Sequence, residues 1–280
     1  MNDYKIGLQL FSIQDEMFEN PDAALKAVSE MGYECVEFAR DLFGHSAEEI
    51  KKLCEKYGLE PVSTHQNFAD FLENPEPYIK KFKTLGLKFV AIPFVPSYDW
   101  VDDRDAVLEK VKKFVNIVND NGMTPVYHNH DHEFLIEAEG KPAMEWLLEN
   151  AEGLSPEFDT CWVHYGMKNP CDIIAKYADR QEIIHFKDFE CTNIPEGMVY
   201  ESDCEIKFSD DPERVMRRDL DGEGFVFKPI GYGRQDIKKM LEAVKNSNIK
   251  YIIVEQDKHT ERTPMEDVKL SIDYIKGILK

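Results

Sequence analysis

The sequence predicts a single-domain (β/α)8 barrel, and three observations predict it. A unit of amphipathic helix, glycine and short apolar strand recurs along the chain, eight strand-like runs are each followed by a helical stretch, and 280 residues suit one barrel around one core. The domain is expected to span residues 1–280.

The repeat is plainest in four copies. Gly32 precedes Cys35 to Ala39, Gly58 precedes Pro61 to Asn67, Gly86 precedes Phe89 to Val95, and Gly122 precedes Thr124 to His130. Each glycine suits the left-handed residue that ends a helix. Helix starts are marked by Asn20-Pro21, Asn74-Pro75, Asn169-Pro170 and Thr263-Pro264, a capping side chain before proline at the first helical position. Ser46 with Glu49 and Thr263 with Glu266 read as capping boxes. Stripes such as Val107, Val111, Val115 and Val118 have helical spacing and are read as core.

Lys5 to Ser12, Leu154 to Trp162, Glu182 to Asp188 and Tyr251 to Asp257 complete the eight strands. Alternation of this kind requires parallel strands with right-handed crossovers. A doubly wound sheet is the rival, but no G-x-G-x-x-G follows the first strand. The interval from Phe189 to Ile230 is too long for an ordinary βα loop and is expected to be a rim excursion over residues 189–230. Its Tyr200, Phe208, Phe225 and Phe227 suit a lid over the site or a contact with a second copy of the chain, a homo-oligomer.

Composition narrows the partners. With 34 Lys and Arg against 54 Asp and Glu, the formal charge of −20 repels nucleic acid and anionic membranes, and no apolar run approaches a membrane span. Six cysteines without a C-x-x-C pair, and a first segment without a basic and apolar leader, lead to an expected cytoplasmic location with free thiols.

In such a barrel the strand ends of one rim converge on the pocket, so the polar residues there are the candidates. His65 follows the third strand. The fifth ends His128, Asn129, His130, Asp131, His132, Glu133; the sixth ends in Asp159; the seventh carries His185, Lys187 and Asp188; the eighth carries Glu255 and Asp257. Asp159, His185 and Glu255 each directly follow apolar residues, where an ionisable group is costly unless paired or bound to metal. Lys187 shares the strand face of His185 and so points inward. His130 is the candidate for proton transfer, and His65 and His128 for substrate hydroxyls. Trp162 suits an apolar wall against a sugar. Gly231 and Gly233 with Arg234 lie where barrels often bind phosphate; the glycines alone read as a turn, and Arg234 is a candidate substrate contact.

The segments 127–134 (YHNHDHEF), 158–162 (FDTCW), 185–188 (HFKD), 230–233 (IGYG) and 253–257 (IVEQD) resemble the sugar phosphate isomerase/epimerase family of xylose-isomerase-like barrels, in the family's order. The resemblance implies one divalent metal, Mn, Mg, Co or Zn, held by Glu133, Asp159, His185 and Glu255. It also implies that Glu133 and Glu255 exchange protons with the substrate, while His130 and Lys187 are further catalytic candidates from their own positions. A metal-polarised carbonyl acidifies the neighbouring C–H and stabilises the enediolate. Trp162 and Lys187 stand where ketose 3-epimerases have His and Arg.

The first expectation is therefore a metal-dependent isomerase or epimerase of a sugar or sugar phosphate, acting on a small carbohydrate. The second is a lyase or dehydratase of a keto sugar, keto glycoside or ketoinositol. A nuclease like endonuclease IV and a non-catalytic sugar-binding barrel are the remaining readings, and the acidic charge opposes the nuclease.

Overall fold

The computed structural model describes residues 4–192 and 224–280, and between them the backbone of two short antiparallel segments, Val199–Tyr200 and Ile206–Lys207. Eight parallel strands form the centre: β1 Lys5–Gln9, β2 Cys35–Phe38, β3 Glu60–Thr64, β4 Phe89–Ile92, β5 Thr124–His128, β6 Ser155–Glu157, β7 Ile183–Phe186 and β8 Tyr251–Val254.

They pair in the orders β3-β2-β1-β8-β7 and β4-β5-β6. Two single parallel bridges, His65 with Ala91 and Asp159 with His185, join these sheets edge to edge. Every strand thus has two neighbours, and the ring is the predicted (β/α)8 barrel. Both bridges lie at the rim and involve residues proposed for the site, so the last closures of the barrel also position its chemistry.

Alternation along the strands divides the side chains into two sets. Cys35, Val62, Phe89, Ala91, Val126, Ile183, Tyr251 and Ile253 form a small apolar cluster inside the ring. Their neighbours Val36, Val90, Tyr127, Ile184, Ile252 and Val254 belong to the larger core beneath the helices. Continuing the inward phase by two residues gives Glu37, His128, His185 and Glu255, so a polar layer sits directly above the apolar one. β1 passes close inside: a Cβ on Gly7 would lie 2.6 Å from Cys35 Sγ and 2.7 Å from Ile253 Cδ1.

The punctuation in the sequence does its expected work. Gly32, Gly58 and Gly86 are left-handed C-caps at φ +95°, +67° and +76°. Asn20, Asn169 and Thr263 cap their helices, and Thr263 with Glu266 forms a full capping box. Asn74 makes no side-chain cap bond, and Ser46 accepts from the Glu49 backbone N–H, half of the box expected there.

The parallel strands are shorter than the sequence runs suggest, because the chain turns off the barrel as soon as its polar rim is reached. Asp159 already caps the helix Thr160–Tyr165. After β7, Asp188–Cys191 pairs antiparallel with Phe225–Lys228 to form the base of the excursion. Its aromatic residues Phe225 and Phe227 pack on Trp162, Tyr165 and Phe189. The middle of the excursion, with Phe208 and the side chain of Tyr200, lies outside the described residues, as does Cys204. Among the described residues, no helix is long and apolar enough to cross a membrane.

Candidate active site and metal centre

His128, Asp159, His185 and Glu255, one from each of the last four strand ends, form a buried group. One ligand atom from each can be chosen so that all lie within 4.8 Å of one another. A second group, His65, His128, Glu157 and His185, satisfies the same criterion and shares both central imidazoles. The rings of His128 and His185 are 4.6 Å apart at 71°, and His65 stacks on His185 at 5.1 Å.

The bonding around these groups is asymmetric. His185 Nδ1 faces Glu255 Oε2 at 3.1 Å, and its Nε2 faces Glu37 Oε2 at 2.5 Å. Glu37 also accepts from Gln9 Nε2 at 2.8 Å, and His65 Nε2 meets Glu157 Oε2 at 3.0 Å. Asp159 is fixed at both ends: its N–H donates to Asn129 Oδ1 at 3.0 Å, and its Oδ1 accepts from the Trp162 N–H at 2.9 Å. Lys187, 1% exposed, places Nζ 2.8 Å from Glu255, 3.1 Å from Asp257 and 3.2 Å from Asp159.

These charges set the protonation states. Burial lowers the basicity of His185 and of Lys187, but the carboxylates overrule it. Glu37 and Glu157 hold His185 well above the usual imidazole range, and Asp159, Asp257 and Glu255 hold Lys187 well above the usual lysine range. His130 lacks comparable support, and burial brings its pKa down to about 4, leaving a neutral ring.

The group suits a divalent cation. Buried His128 Nδ1 makes no hydrogen bond, and Asp159 Oδ2 is balanced by the Lys187 ammonium at 3.2 Å, so the imidazole nitrogen is costly unless another partner binds. Two imidazoles and two carboxylates are a donor set for Mn, Co or Zn, and Mg accepts the carboxylate half.

One expected ligand is elsewhere. Glu133 sits on the short helix His132–Leu135 beyond β5, and its carboxylate accepts from Tyr127 Oη at 2.7 Å and from the His130 N–H at 2.8 Å. His132 Nε2 is 3.2 Å away. Glu133 is thus held by its own loop, and His128 takes its place in the group. The reason is strand phase: His128 is the last inward residue of β5, whereas Glu133 follows the turn off the barrel. Arg234 is also displaced from the expected role. It donates to Glu190 and to the Cys191 carbonyl, locking the base of the excursion.

Other candidate residues lie close to this group. Trp162 stacks between His130, at 5.2 Å, and Phe225, at 5.6 Å, with Lys187 Nζ 5.4 Å from its ring. Only 4% of it is exposed, so it supports the wall more than it presents a face. His65 lies against the group through Glu157. Glu37 and Glu157 are not among the sequence candidates: Glu37 shares the inward phase of Cys35, and Glu157 is the register partner of His128, relations visible once the strands are paired.

The chain belongs to the xylose isomerase-like TIM barrel family, whose model matches residues 25–278. It is similar to an inosose dehydratase of Geobacillus kaustophilus (strain HTA426), 26% identical over 221 residues, which cover 67% of this chain and 70% of that one. Among solved structures it resembles a sugar phosphate isomerase/epimerase of Parabacteroides distasonis ATCC 8503, with TM-score 0.70 and 21% identity over 97% of this chain and 98% of that one. It also resembles the E. coli 3-keto-D-glucoside 4-epimerase, with TM-score 0.68 and 16% identity over 98% and 99%. At these identities the two structures share the fold.

Proposed function

We propose that the protein is a divalent-metal-dependent enzyme acting on a small keto polyol, and that it eliminates water or another β-leaving group by way of an enediolate. The observation that carries the choice of elimination is the position of Glu133. Epimerisation by the two glutamates the resemblance implied needs both beside the substrate, and only Glu255 stands in the group, with His128 opposite. The similarity to an inosose dehydratase supports the same reading.

His128, Asp159, His185 and Glu255 would hold the cation, which supplies Lewis-acid polarisation of the substrate ketone and its neighbouring hydroxyl. Glu255 removes the proton from the carbon beside the ketone. Lys187, kept cationic by its carboxylates, orients Glu255 and lowers the energy of the developing oxyanion. Glu255 then returns its proton to the leaving hydroxyl on the same face, so the ketone becomes an enone and water departs with no redox change. The aromatic wall of Trp162, Phe225 and Phe227 keeps bulk water from Lys187.

The isomerase or epimerase reading keeps one supporting observation. Glu157 Oε1 lies 3.7 Å from His185 Nε2, whereas Glu255 meets Nδ1, so two carboxylates flank opposite edges of that ring. Product analysis in D2O with Mn2+-loaded protein and a panel of keto sugars and ketocyclitols separates the two. Elimination predicts loss of water, abolished in Glu255→Gln. An isomeric, deuterated product instead establishes epimerisation, and the lack of any exchange or product across the panel rejects both.

A further inference from the structure

The glycine loop before the helix Ile237–Lys245 lies where (β/α)8 barrels frequently bind a phosphate, beyond the seventh strand. In this chain that place is filled from within. Asp188, just beyond β7, accepts four backbone N–H bonds. Its Oδ2 takes those of Gly231 at 2.9 Å and Gly233 at 3.0 Å, and its Oδ1 takes those of Phe189 at 2.9 Å and Gln235 at 3.1 Å. Converging N–H groups of a glycine turn are the arrangement that binds phosphate oxygens. The fit leaves no spare room: a Cβ on Gly233 would lie 2.3 Å from Asp188 Oδ1.

The neighbouring cations are committed as well. Arg234 donates to Glu190 and the Cys191 carbonyl, and Lys187 lies among Asp159, Glu255 and Asp257. A phosphate ester carries a charge of roughly −2 at neutral pH. Brought to this part of the rim, it would either displace Asp188 from its four donors or lie beside it and repel it.

We infer that Asp188 closes the anion niche of the rim and restricts the enzyme to unphosphorylated keto polyols. The inference rests on the keto polyol reading above and names its substrate class.

Calorimetric titration of Mn2+-loaded protein with D-fructose, fructose 6-phosphate and inorganic phosphate tests it. The free ketose should bind, its phosphate should bind at least about tenfold more weakly, and inorganic phosphate should leave ketose binding unchanged. Equal or tighter binding of the phosphate ester, with the free ketose still bound, overturns the inference alone. Binding of neither ketose overturns the keto polyol reading and the inference with it. In Asp188→Ala the vacated donors should raise affinity for inorganic phosphate at least about tenfold, and a folded variant without that gain also counts against the niche.

Discussion

Glu37 Oε2 lies 2.5 Å from His185 Nε2, while the other ring nitrogen of His185 faces the candidate metal group at Glu255. A carboxylate on the far nitrogen of a ligand histidine fixes its tautomer and ring angle and raises its basicity. Glu37 is itself held by Gln9, so the arrangement runs from β1 through β2 to β7. Glu37→Gln should weaken Mn2+ or Zn2+ binding by about 10-fold to 100-fold while leaving the far-UV spectrum unchanged. Unaltered affinity in a metal titration would remove Glu37 from the site.

Glu133 and Glu255 should separate cleanly on mutation. Glu255→Gln removes a carboxylate from the group and, on the proposed mechanism, the base, so metal affinity should fall and turnover drop by about 10²-fold or more. Glu133→Gln leaves the group intact, but Tyr127, the His130 N–H and His132 lose a charged partner, so its effect should appear as about 1 to 3 kcal/mol of stability. Parallel metal titrations and denaturant melts decide. Loss of metal binding in Glu133→Gln with a native melt would restore it as a ligand.

The pair of His132 and Glu133 also predicts a pH dependence. Burial pushes the His132 pKa down, but the adjacent Glu133 carboxylate outweighs it and raises the value to about 9. The folded value exceeds the unfolded one of about 6.5, so the stabilisation is complete below that pH and is lost as pH rises through the folded value. Between these limits the loss amounts to about 3 kcal/mol at most. His132→Gln should flatten the stability profile between neutral pH and pH 9. A profile as steep as wild type would assign the slope to other groups.

Much of this was legible in the sequence, for reasons that differ by residue. The barrel was readable because glycine C-caps and Asn-Pro starts are local signals that survive in the fold. Asp159, His185 and Glu255, which the structure brings into one buried group, stand out in the sequence because each ends an apolar run. The string of three histidines after Val126 hides where β5 stops, so only strand phase shows that His128 lies in that group and Glu133 beside it. Glu37 and Glu157 could not be singled out as partners until β2 and β6 were set in register around the ring, a long-range relation that no local pattern carries. Asp188 is visible in the sequence only as a strand-end acid, because its four donors come from its immediate neighbour and from a loop more than forty residues onward.

Three glycines offer a graded test of how tightly the chain is built around Asp188 compared with elsewhere. In Gly233→Ala the new Cβ would meet Asp188 Oδ1 at 2.3 Å and the Phe189 carbonyl at 2.4 Å, so the nest or the excursion base must shift, at a cost of about 2 to 4 kcal/mol. Gly58→Ala meets no atom within 4 Å but sits at φ +67°, where an L side chain is strained by about 1 kcal/mol. Gly277 has open space within the helix Pro264–Ile278, so alanine there should stabilise by about 0.5 to 1 kcal/mol. Urea melts of the three variants should rank them in that order. A Gly233→Ala protein as stable as wild type would mean that the loop around Asp188 has slack, and the argument that the niche is closed to phosphate would lose its geometric basis.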